Sequence, residues 1–152
     1  MIESLQRLLR GVVTNDDVPD REAPTLALSV AALLFEVARA DYHLDDSEVL
    51  LLRELLQRRF ALEDAELEEL MHLARQEAES AVDHYRFVSL VKEHCDYEQR
   101  CELVRMMWSL SLADGERHHL EEHRIRRLSE LLHVSHPDFI RAKLRVQEEG
   151  TR

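Results

Sequence analysis

The chain has 152 residues and a formal net charge of -11, with 45% hydrophobic and 34% charged residues. That balance is too apolar for a disordered chain and too charged for one embedded in lipid, and the acidic excess argues against general affinity for nucleic-acid phosphates. With only three glycines and three prolines the chain lacks the punctuation of a sheet protein, so long helices are predicted.

In chain order, Ile2, Leu5, Leu8 and Leu9 fall at helical spacing ahead of Gly11 and predict a short amphipathic helix docked on the body. The polar stretch from Val12 to Pro24 reads as a linker, so residues 1–24 are expected to precede one helical domain over 25–152. Thr25 can cap a nearly all-apolar helix running to about Asp41, and after the Tyr42-His43-Leu44 break Asp45 can cap a second helix carrying Val49, Leu52, Leu55, Leu56 and Phe60. A third is expected from Glu63 to about Glu79. Asp83 and Asp96 can cap the next two, the latter ending at Gly115. Helices from Leu120 to His133 and from Pro137 to about Glu148 complete a compact all-α bundle of about eight helices.

The two halves repeat. Ala32 to Leu70 and Arg105 to Ala142 share the order of an apolar helix, Ala-Asp, a short break, Glu, and a Leu-rich helix followed by another. Asp41 and Glu48 correspond to Asp114 and Glu121 at a constant offset of 73, and Phe60-Ala61-Leu62 aligns with Leu132-His133-Val134 after a one-residue deletion. Two such units packed about a pseudo-twofold would put the Asp-break-Glu corners in comparable positions.

Those carboxylates allow two readings. An aspartate at a helix C-terminus meets the partial negative charge of exposed carbonyls and needs compensation, which a divalent cation, an arginine or water can supply. Glu48 and Glu121, in contrast, have the spacing of capping-box residues that turn back to the cap amide.

Ala40-Asp41 with Glu48, and Leu112-Ala113-Asp114-Gly115-Glu116 with Glu121, resemble the paired signature of the tellurite-resistance TerB-like family over about Thr25 to Ala142. The resemblance implies an all-helical fold without enzymatic activity, with a divalent metal held by Asp41, Glu48, Asp114 and Glu121, and a role in a stress or tellurite response. The first copy reads Asp41-Tyr42 where the family pattern has Asp-Gly, and the second has His118-His119 where small or acidic residues are usual.

Other chemistry is thinner. His119-Leu120-Glu121-Glu122-His123 has the H-x-x-E-H spacing of inverted zinc peptidases, with His119 and His123 as ligands and Glu122 as base, but a third ligand is not in view. His118, His119 and His123 beside Asp114 and Glu116 would suit Zn²⁺ or Ni²⁺ without catalysis. The ion considered is therefore Ca²⁺, Mg²⁺ or Zn²⁺. Asp45, Asp46 and Glu48 do not form an EF-hand loop.

Cys95 and Cys101 flank a helix junction and read as core thiols, and Met106-Met107-Trp108 reads as packing. Arg124, Arg126, Arg127, Arg141, Lys143 and Arg145 read as solvated faces. Neither a signal-peptide run nor eighteen consecutive uncharged apolar residues occurs, so a cytoplasmic protein without stable membrane insertion is expected. The expected partners are proteins or cations, with self-association left open. The alternative is a metal-free interaction domain in which the same carboxylates are caps.

Overall fold

A computed structural model describes residues 25–39, 46–80, 85–113 and 119–150, and all regular structure within them is helical. Seven helices follow in order: α1 (Leu26–Ala38), α2 (Asp46–Phe60), α3 (Asp64–Ser80), α4 (Tyr85–His94), α5 (Tyr97–Ser111), α6 (His119–Leu131) and α7 (His136–Gly150). The helix expected over Ile2 to Arg10, which would make eight, lies outside the described residues, as do the expected caps Asp45 and Asp83.

Helix α1 is the core's axis. Twelve of its thirteen residues are buried, which fits a sequence whose one charged residue is Glu36. The helix packs on α2, α3, α4, α5 and α6, and each Leu, Val or Phe it removes from water contributes about 1.5–3 kcal/mol. Thr25 caps its start, its Oγ1 accepting the Leu28 N–H at 3.1 Å. The helix stops at Ala38 with Arg39 as C-cap, short of the expected Asp41. The Arg39 guanidinium donates to the Ala78 carbonyl at 2.8 Å, tying the end of α1 to a C-terminal carbonyl of α3.

The predicted repeat is a packing repeat. Helices α1, α2 and α3 pack on one another as α5, α6 and α7 do, α1 lies against α5, and the cross-repeat pairs α1·α6 and α2·α5 are both present. Residues related by the offset of 73 share environments: Phe35 and Trp108 are buried at the centre, as are Leu52 and Ile125. The proposed deletion is marked by backbone geometry, since Ala61 (φ 52°) and His133 (φ 59°) are left-handed residues at aligned positions. At the second, the Val134 N–H reaches the Ser129 carbonyl at 3.0 Å and the His133 N–H reaches that of Glu130 at 3.1 Å, a Schellman closure. This closure ends α6 two residues before the expected His133.

Helix α5 begins at the expected cap Asp96, which forms a full capping box with Gln99, and ends at Ser111, ahead of the expected Gly115. Its last turn tightens, with the Ala113 N–H donating to the Leu110 carbonyl at 3.3 Å. Trp108 on this helix packs on Phe139 of α7 at 5.3 Å between ring centroids, and its indole N–H donates to the Phe139 carbonyl at 3.3 Å.

Candidate functional site

Glu48 and Glu121 each stand third in their helix, α2 and α6. Both are buried, at 2% and 0% exposure. Carboxylates are seldom so fully withdrawn from water, because the charged form loses its hydration and must be compensated inside the protein. A first-turn position supplies part of that compensation through the positive end of the helix dipole.

The cross-repeat packing places these residues. Leu55, Arg58 and Arg59 of α2 share a hollow of about 260 Å³ with Glu102 and Met106 of α5, and Arg59 acts electrostatically on Cys95 just before α5. Moving toward the end of α2 therefore means moving toward the start of α5, so the two run antiparallel. Seven residues before Leu55, about 10 Å along the axis, Glu48 lies toward the C-terminal end of α5. In the matching crossing, Arg124 of α6 donates to the Glu36 carboxylate near the end of α1, and Glu121 is one turn from Arg124. Each buried glutamate thus sits by the last turn of the first helix of the other repeat.

Asp41 and Asp114, which follow those last turns in sequence, lie outside the described residues, together with Glu116 and His118. Among the described residues no group of three His, Cys, Asp or Glu side chains stands together at metal-binding range. Of the H-x-x-E-H residues, His123 is exposed and the Glu122 carboxylate accepts from Lys143 Nζ at 2.9 Å.

Two basic residues read from sequence as solvated are built into the structure. Arg124 is bound to Glu36, and Lys143, with its side chain 17% exposed, lays its ammonium 5.1 Å from the centre of the Trp108 ring while reaching Glu122. Glu36 itself escaped the sequence reading. Its signal was available: it is the single charged residue in a thirteen-residue helix that is otherwise apolar but for Ser29.

Cys95 and Cys101 are buried free thiols, and burial pushes both above the ordinary thiol value. Arg59 and Arg100 pull Cys95 the other way without overcoming that loss of hydration.

The all-helical duplicated unit, with a buried glutamate in the first turn of α2 and of α6, agrees with the TerB resemblance, and the family model described as tellurite resistance protein TerB matches residues 27–144. The chain belongs to the TerB family. The TerB match runs from α1 into α7 and so covers both repeats. No curated protein and no solved structure matches the chain. No helix among the described residues of this TerB domain is long and apolar enough to cross a membrane.

Proposed function

We propose that this TerB-family chain is a non-enzymatic divalent-cation binder that works through protein contacts in the cytoplasm, in a stress or tellurite response. The observation that carries the reading is the matched burial of Glu48 and Glu121 in the first turns of α2 and α6. The donor set fits: Asp41, Glu48, Asp114 and Glu121 offer carboxylate oxygens, which suit Ca²⁺ or Mg²⁺ better than the thiolate and imidazole sites preferred by softer ions. The ion's contribution would be positive charge at a place where buried carboxylates and helix C-termini gather negative charge. Zn²⁺ stays in the set of candidates through the histidines at the start of α6.

A second reading has its own observation. Third place in a helix is where a capping-box glutamate stands, so Glu48 and Glu121 can be read as structural caps in a metal-free interaction domain. Equilibrium dialysis of the chelator-treated full chain against Ca²⁺, Mg²⁺, Mn²⁺ and Zn²⁺, followed by metal analysis, separates the two. Retention of an ion by the wild type and its loss in Asp114→Asn supports the cation site. Retention by neither supports the caps.

A further inference from the structure

The Glu36–Arg124 pair is the feature of the corners that the duplication does not explain. At the offset of 73, Glu36 is matched by Ser109 and Arg124 by Leu51, so the α2·α5 crossing is made without this ion pair. Ser109 turns its hydroxyl back to the Arg105 carbonyl of its own helix at 3.0 Å, and Leu51 packs against the core. The fold can therefore form this crossing with neutral residues at these two positions. Burying the Glu36 side chain, 8% exposed, in the last turn of an apolar helix costs desolvation energy that a neutral pair avoids, and an ion pair kept under those conditions calls for a role beyond stability.

Position supplies the role. Arg124 lies three residues, one turn, after Glu121 on α6, within reach of the same face. A guanidinium offers five N–H donors in a rigid fork, so binding Glu36 leaves others directed at the same neighbourhood. The Glu36–Arg124 pair thus stands near the end of α1, one helical turn along α6 from the buried Glu121.

We propose that Glu36 is a further carboxylate of the acidic corner and that Arg124 is its internal counter-ion, which competes with a divalent cation and sets how tightly that cation is held. The inference rests on the cation reading above. Removing Arg124 leaves an additional negative charge at the corner, and removing Glu36 leaves a positive one. The two substitutions must therefore move affinity in opposite directions, which a purely structural ion pair would not do.

The test is Mn²⁺ titration of the chelator-treated full chain followed by electron paramagnetic resonance of free Mn²⁺, with circular dichroism to verify the fold. Arg124→Leu, which installs the residue found at position 51, is expected to tighten binding about tenfold, the size of a unit charge acting across a partly screened interior. Glu36→Gln is expected to weaken it several-fold, and because Arg124 is a third exposed, this variant leaves a cation that water can reach. Should Arg124→Leu fail to fold, Glu36→Gln decides alone. Wild-type binding indifferent to the substitutions, or shifted the same way by both, overturns the inference and spares the cation reading. Absence of Mn²⁺ binding in the wild type removes both.

Discussion

Ala61 and His133 hold the same place in the two halves of the chain, each a left-handed residue just after the second helix of its repeat. In both, the next residue, Leu62 or Val134, is buried against the core. The turn's shape is thus common to both repeats, although neither supplies the glycine that usually stands at such a position.

A left-handed residue other than glycine costs about 1–2 kcal/mol, while glycine costs about 0.5–1 kcal/mol of extra chain entropy. His133→Gly and Ala61→Gly are therefore each expected to stabilise the fold by about 0.5–1 kcal/mol, read as a higher urea midpoint at unchanged slope. A lower midpoint in both variants would contradict the account of these turns.

Acid should loosen the contact between the starts of α5 and α7. Hydrogen bonds from the Tyr97 hydroxyl, at 2.6 Å, and from Ser135 hold the Asp138 carboxyl below its ordinary value, aided by Arg141. Because the folded value is depressed, the stabilisation is complete above the unfolded carboxyl pKa of about 4 and is lost as pH falls through the lower folded value. Urea unfolding of wild type and Tyr97→Phe is expected to differ near neutral pH, with the difference shrinking as pH falls through the depressed folded value of Asp138. A difference that stays constant with pH would show that the hydroxyl acts on packing alone.

The thiols should be slow to react. Burial disfavours the thiolate at Cys95 and Cys101, so at pH 8 iodoacetamide is expected to modify the folded chain far more slowly than the chain in urea. Labelling of either cysteine at the denatured rate would mean that the junction between α4 and α5 opens readily.

Much of the fold was legible because it rests on local rules. Thr25 and Asp96 cap their helices as their spacing predicts, and the offset of 73 anticipates which residues share an environment, down to Phe35 and Trp108 at the centre. Helix ends were less legible. The stop of α5 at Ser111 is set by a tightened last turn, whereas the sequence pointed to Gly115.

The site divided along the same line. Burial of Glu48 and Glu121 follows from tertiary packing of a helix start against the other repeat, which periodicity along one helix does not encode. Arg124 and Lys143 looked like members of basic surface stripes because their spacing is that of exposed faces. Only the α1·α6 packing gives the first to Glu36, and only the α5·α7 and α6·α7 packing gives the second to Trp108 and Glu122.

The central claim is that Glu48 and Glu121 serve a bound divalent cation. Calorimetric titration of the chelator-treated full chain with Ca²⁺ and Mg²⁺, repeated on Glu48→Gln and Glu121→Gln, tests it most directly. Saturable heat in the wild type, with affinity lowered at least tenfold in each folded variant, is the expected result. Equal affinity in all three proteins, or binding in none, would contradict it.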